Sequence, residues 1–251
     1  MTTRRTVLIT GGTRGIGNGL ARRFAARGDR VMITGRDRRR LAEAGRQTPG
    51  LLTAQSDISS PRDREQLATH VVEQLPTLDL LINNAGVQRR VSLADDDASW
   101  PERQAELDAL LSGPVHLNHL LIPIMLNHGN TATIVNVTSG GALIPQPFAP
   151  LYSAAKAALH SYTMTLRHAL ADTAIDVLEL MPPAVATGLS GSPTPHGADI
   201  NAFCDAAFAG IQARQPVVSF GSTATDQVQQ RLRSEQDMFE TNSARFPVIV
   251  Y

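Results

Sequence analysis

The chain has 251 residues, 42% of them hydrophobic and 18% charged, with 23 basic and 23 acidic side chains. That length suits one domain with a sizeable core, and the charge balance argues against a nucleic-acid or anionic-membrane binder, which carries a basic excess. A single cysteine, Cys204, excludes an internal disulfide framework and a cysteine-built zinc site, while the apolar runs fall short of the ~20 residues of a bilayer span. The first apolar segment, Val7-Leu8-Ile9, is also too short for a signal-peptide core, so a cytoplasmic protein is expected.

Short β-branched or apolar runs predict strands at 6–10, 30–34, 51–55, 78–83, 133–138, 175–181 and 217–220. Between them, helical spacing predicts helices at 16–27, 38–46, 61–75, 98–127, 151–171 and 200–213. Such alternation builds right-handed βαβ units. The expected fold is therefore a single doubly wound α/β domain over 1–251, with a mainly parallel sheet of about seven strands and helices on both faces. The stretch 188–199 is rich in Gly, Pro and Ser and reads as a mobile substrate loop. The C-terminal stretch 225–251 reads as a polar helix, 225–242, followed by an apolar tail, 246–251, that must find cover.

The first strand runs into Thr10-Gly11-Gly12-Thr13-Arg14-Gly15-Ile16-Gly17 and then a helix. Glycines there let the backbone turn sharply and approach a pyrophosphate, which the helix N-terminus attracts; the plain alternative is an ordinary βα turn. The second strand ends in Thr34-Gly35-Arg36, where enzymes preferring NAD place an acid on the ribose 2′-hydroxyl. Gly35 takes that place, and Arg36 with Arg14 suits a 2′-phosphate, which points to NADP(H). The alternative for Arg36 is membership of a solvated basic run, 36–40.

Further along, Tyr152 and Lys156 are four apart at the start of a predicted helix and share one face. Lys156 is the only lysine among the 23 basic residues, so an amine with a movable pKa stands where arginine could not serve. An ammonium beside a phenol stabilises the phenolate and makes a usable acid–base group near neutral pH. Phe148 precedes that helix where the chain must skirt a substrate. His116 and His119 lack a third ligand and read as a surface or contact pair, not a metal site. His160 and His168 read as packing or interface residues.

The glycine spacing resembles the T-G-x-x-x-G-[IL]-G of the short-chain dehydrogenase/reductase family. Asp57, Asn83-Asn84-Ala85-Gly86, Ser139 and Tyr152-x-x-x-Lys156 then follow in that family's order. The resemblance implies a Rossmann fold and a set of roles. Gly11, Thr13, Gly15, Ile16 and Gly17 would carry the dinucleotide, Asp57 and Ile58 the adenine, and Asn84, Ala85 and Gly86 the ribose. Pro182, Val185 and Thr187 would stand at the nicotinamide. Ser139 would bond the substrate oxygen, Tyr152 donate the proton, and Lys156 lower its pKa and bind the ribose. Within the family the chain looks most like uncharacterised bacterial oxidoreductases named after a gene cluster for D-alanylation of teichoic acid.

Two positions depart from the family pattern. Leu110 stands where E-x-D-x-N-x-x-G-P has its asparagine, thought to hold a proton-relaying water, and Pro183 replaces the glycine of Pro-Gly. The expected function is NADPH-dependent reduction of a small carbonyl compound, or the reverse. The rival is a catalytically weak NADP(H)-binding sensor or scaffold. A sugar-nucleotide epimerase would need a larger C-terminal domain than this chain has. No metal, nucleic acid or membrane partner is expected. Family helices that pack against a second subunit, with Ala154, Ala155, Ala157 and Ala158 allowing close approach, imply a homodimer or homotetramer.

Overall fold

The computed structural model describes residues 4–189 and 197–245. Seven parallel strands form one sheet: β1 (Thr6–Ile9), β2 (Arg30–Gly35), β3 (Leu52–Gln55), β4 (Leu80–Asn83), β5 (Ala132–Val137), β6 (Ile175–Met181) and β7 (Val217–Ser219). Their order is β3-β2-β1-β4-β5-β6-β7, with β1 paired to both β2 and β4. Successive strands are joined through helices: α1 (Gly15–Ala26), α2 (Arg38–Gln47), α3 (Pro61–Gln74), α4 (Trp100–Leu107), α5 (Gly113–Asn127), α6 (Pro150–Ala169) and α7 (Ile200–Gln212). A last helix, α8 (Asp226–Ser243), follows β7.

Side-chain alternation along the strands divides the core into two layers. Val7, Ile9, Ile33 and Ile82 meet Leu20 and Phe24 of α1, Leu41 of α2 and Phe203 of α7 on one face. On the other, Leu8, Met32, Leu81 and Ile134 meet Val71 of α3, Leu117 and Leu121 of α5, and Leu166 of α6. Both faces of the sheet are therefore dry, which explains the apolar reading of 78–82. The strand order reverses its direction of progress across the sheet between β1 and β4, so the connections that follow them diverge and leave a crevice at the strands' C-terminal ends.

The long helix expected over 98–127 is divided. Between α4 and α5, Asp108–Ser112 forms a π-helical turn, in which the Gly113 N–H reaches back to the Asp108 carbonyl. Pro114 follows at once; it has no N–H, and its ring crowds the carbonyl four residues back, so a regular α-helical path is blocked there. The whole stretch Trp100–Asn127 is also long and apolar enough to cross a membrane by composition, contrary to the sequence expectation. In the fold, Leu117, Leu121 and Met125 are buried against the sheet, as in a core helix. Most of the loop expected at 188–199 and the tail 246–251 lie outside the described residues.

Candidate active site

The crevice is a cleft of about 800 Å³ that runs from the end of β2 past β1 and β4 to β5 and α6. Its floor is built from backbone. Gly11 has φ +65°, and a β-carbon on it would stand 2.7 Å from Ala85 Cα. Gly15, at φ +58°, opens α1, and a β-carbon there would meet Thr187 at 3.3 Å. Only glycine satisfies both demands without strain. The Thr10 hydroxyl accepts from the Asn84 and Ala85 N–H groups at 3.0 Å each, and Asn84 Nδ2 donates back to the Thr10 carbonyl at 2.9 Å. These bonds tie the loop after β4 to the glycine loop.

Of the residues expected at a dinucleotide, Gly11, Thr13, Arg14, Gly15, Ile16, Arg36, Asp57, Ile58, Asn84, Ala85, Gly86, Pro182, Val185 and Thr187 line this cleft. Gly17 does not; it is buried one turn into α1, where a β-carbon would strike Asn84 Nδ2 at 2.5 Å, so it supports the floor from beneath. Pro183 lines the cleft without harm to the neighbouring backbone, since Ala198 N–H donates to the Ala184 carbonyl at 2.8 Å and Ala186 N–H to the Ala198 carbonyl at 3.1 Å. That bridge pins the two ends of the following loop together.

At the end of β2, a β-carbon on Gly35 would stand 2.9 Å from Thr13 Cγ2, so an acidic side chain there has no room without moving Thr13. Asp37 is occupied as the N-cap of α2, accepting from the Arg39 and Arg40 N–H groups at 2.8 and 3.3 Å. Arg36 is 66% exposed and faces Asp57 at 3.7 Å, while Arg14 and Arg40 line the same end. The groups present fit a dinucleotide: a side-chain-free floor at a helix N-terminus, with guanidiniums and no competing strand-end acid.

The opposite end of the cleft, at β5 and α6, gathers Ser139, Phe148, Tyr152 and Lys156. Ser139 stands two residues past β5 and caps the short 3-10 turn that follows, its Oγ accepting from Gly141 N–H at 3.0 Å. Tyr152 and Lys156 lie one turn apart on α6, 6% and 4% exposed, with Lys156 Nζ 5.7 Å from the Tyr152 ring centre. Lys156 Nζ donates to the Val137 carbonyl at 2.6 Å. Burial pushes the Tyr152 phenol up from its ordinary value, and the neighbouring Ser139 hydroxyl partly offsets that. Burial brings the Lys156 ammonium down to about 8, against the opposing pull of the Glu179 carboxylate. Phe148 is at the mouth, with the Arg90 guanidinium 4.2 Å over its ring.

Leu110 lies on the π-helical turn, wholly buried, in a cluster with Ala149, Tyr152 and Ala155. Asn118 is one element further on and does not reach this cluster. It accepts from Asn83 Nδ2 at 2.7 Å within a buried set that also holds Asn136 and Thr163. Three cleft residues escaped the sequence reading. Gln88 Nε2 donates to Gln146 Oε1 at 3.1 Å across the substrate end, and the Glu106 carboxylate accepts from Arg89 N–H at 3.0 Å. Burial raises the Glu106 pKa. Gln88 and Gln146 carry no spacing that would mark them, whereas Glu106 opens the E-x-D-x-N-x-x-G-P pattern in which Leu110 replaces the asparagine.

A family profile for short chain dehydrogenases matches residues 5–196. An uncharacterized oxidoreductase of Bacillus subtilis (strain 168), DltE, is 43% identical over 188 residues, which cover 75% of this chain and 74% of that protein. Two solved structures share the fold at 24% identity, each covering 94% of this chain and 95% of the other. A short-chain dehydrogenase from Sphingobium yanoikuyae in complex with NADPH superposes with a TM-score of 0.83. A short chain dehydrogenase/reductase from Burkholderia phymatum in complex with NAD does so with a TM-score of 0.82. With its parallel sheet, its glycine-floored cleft and this profile match, the chain belongs to the short chain dehydrogenase family.

Proposed function

We propose that the protein is an NADPH-dependent oxidoreductase that reduces a small carbonyl compound to an alcohol, or catalyses the reverse. The observation that carries this reading is the convergence of Ser139, Tyr152 and Lys156 at one end of a cleft whose other end holds Arg14, Arg36 and Arg40. When bound, the dinucleotide supplies the hydride. Ser139 orients the carbonyl oxygen and stabilises the charge that develops on it, and Tyr152 delivers the proton from its hydroxyl. Lys156 holds the phenol's pKa down through its charge and bonds the nicotinamide ribose. The wall formed by Phe148, Gln146 and Gln88 excludes water and sets the shape of the substrate.

The choice of NADPH rests on the steric exclusion of an acid at Gly35 and on the exposed Arg36 guanidinium. We further read the protein as a cytoplasmic homodimer or homotetramer, a reading supported by the exposed Ala154, Ala157 and Ala158 along α6. One observation favours a second reading, a feebly catalytic NADP(H)-binding sensor: Leu110 packs hydrocarbon against Tyr152 where the family pattern has an asparagine. NADPH oxidation measured against a panel of aldehydes, ketones and 3-oxo compounds separates the two. Turnover of one or more supports the enzyme; tight NADPH binding with none turned over supports the sensor.

A further inference from the structure

Beneath Lys156, on the side away from the cleft, lies a charged group that the proposed reaction does not use. Glu179 is fully buried in the middle of β6, inside a sheet that is dry on both faces. An isolated carboxylate in such a place is expensive, and it persists only with partners. Its partners come from the two elements that carry the reacting groups. Thr138, the residue before Ser139, donates its hydroxyl to Glu179 Oε1 at 2.5 Å. His160, one helical turn beyond Lys156 on the same face of α6, places Nδ1 2.8 Å from Glu179 Oε2 and 3.0 Å from Oε1.

The far side of the imidazole leads outward. His160 Nε2 is 3.4 Å from the Glu235 carboxylate on α8, a side chain that is 37% exposed. Buried Tyr152, Lys156 and His160 thus form one stripe, with Glu179 under its inner half and Glu235 at its outer end. Arg167 of α6 also feels the field of Glu179 but spends its own donors on the Val177 and Pro216 carbonyls. On the inner side, the acid whose field reaches the Lys156 ammonium is Glu179.

We propose that Glu179 and His160 are a positioning pair for Lys156: the carboxylate clamps the end of β5 to the middle of α6 and supplies the lysine's counter-charge, and the imidazole, in contact with Glu235, governs how much of that charge the lysine feels. Three consequences follow from the geometry. With His160 neutral, the full Glu179 charge supports the ammonium. With His160 protonated, the carboxylate is shared, and the ammonium loses support. Burial acts to lower the pKa of His160, but the Glu179 and Glu235 carboxylates outweigh it and raise the net value, so this sharing extends upward toward neutral pH.

This inference rests on reading Tyr152 and Lys156 as the acid–base centre, and the test keeps the two apart. The probe for activity is 4-nitrobenzaldehyde with NADPH. Glu179→Gln keeps the size and the bond from Thr138 while removing the charge. It should lower kcat about tenfold, leave the KM for NADPH within about threefold, and move the alkaline limb of the kcat profile down by about 1 pH unit, because Lys156 has lost its counter-charge. An unmoved limb in a folded variant overturns the proposal.

A second measurement does not need that variant to fold, nor any turnover. The titration of the His160 ring is followed by NMR, its resonance assigned by its loss in His160→Asn. Coupling through Glu179 requires that Lys156→Met raise the His160 midpoint by about half a pH unit or more, since the carboxylate is then no longer shared. An identical midpoint in wild type and Lys156→Met overturns the proposal even if Tyr152 proves catalytic. A shifted midpoint sustains the coupling even if the protein reduces no carbonyl compound offered to it.

Discussion

Leu110 packs against Tyr152 behind the lining of the cleft, fully buried, with its Cδ2 3.1 Å from where a β-carbon on Gly86 would stand. The contact sets hydrocarbon against Tyr152 on that side. An asparagine placed there would bury an amide with nothing to bond, at a cost of about 1–3 kcal/mol. The expected outcome for Leu110→Asn is therefore a lower melting temperature and a kcat no higher than wild type. A rise in kcat with unchanged stability would mean that leucine obstructs a proton path to Tyr152.

Cofactor choice should follow charge at the end of β2. Arg36→Asp sets a carboxylate where the 2′-phosphate is proposed to lie, close to Asp57, and should weaken NADPH binding at least tenfold while relatively favouring NADH. Binding of both cofactors, measured by fluorescence titration, checks it. An unmoved preference would assign Arg36 to a solvated run. Gly35→Asp is expected to do more damage, since its β-carbon must displace Thr13.

Assembly should run through α5 and α6. Ala154, Ala157 and Ala158 are exposed on α6, and Ala158, Ser161 and Tyr162 share a shallow depression with Arg64, His116 and His119. His116 is held by Arg64 Nε at 3.0 Å, and its ring centre lies 6.4 Å from that of His119. Ala158→Arg should convert an oligomer to a 26.9 kDa monomer in sedimentation at micromolar concentration. A wild-type protein already monomeric there would refute the arrangement.

The buried lysine also makes a statement about stability. Burial brings Lys156 down to about 8 in the fold, against an ordinary value of 10.5 in the unfolded chain. Between those values the unfolded chain binds more protons than the folded one, so this group's contribution to stability improves as pH rises through 8. Below about pH 8 the buried charge is a full cost. The melting temperature of Lys156→Met relative to wild type should therefore be highest below pH 8 and fall toward about pH 9.5. A difference constant across that range would place the lysine in solvent.

Much of this was legible in the sequence because the strands are short apolar runs with turn residues at both ends, and the glycine loop and the Tyr152–Lys156 spacing are local. The seven strands and their parallel pairing are as expected, with ends moved by a residue or two, while their order across the sheet leaves no trace in local spacing. The break in 98–127 was not legible from apolar periodicity, which continues through Asp108–Ser112 although the backbone bonds change. Gly113-Pro114 was the available signal. The link between Glu179 and His160 joins two elements and leaves no spacing to read. Its one trace is an acid inside the strand Ile175–Met181, where a sheet covered on both faces has no solvent for a charge. His160, read from the sequence as a packing residue, is buried as expected but holds that acid.

The central claim is that the Tyr152 hydroxyl is the proton donor, and Tyr152→Phe addresses it with the least disturbance. The substitution keeps the ring against Leu110 and Ala155 and removes only the oxygen. Turnover of NADPH with whichever carbonyl compound the wild type reduces should fall by about 10²–10⁴, with NADPH affinity within about threefold and an unchanged melting temperature. Activity within a few-fold of wild type, in a folded variant that binds NADPH, would contradict the account.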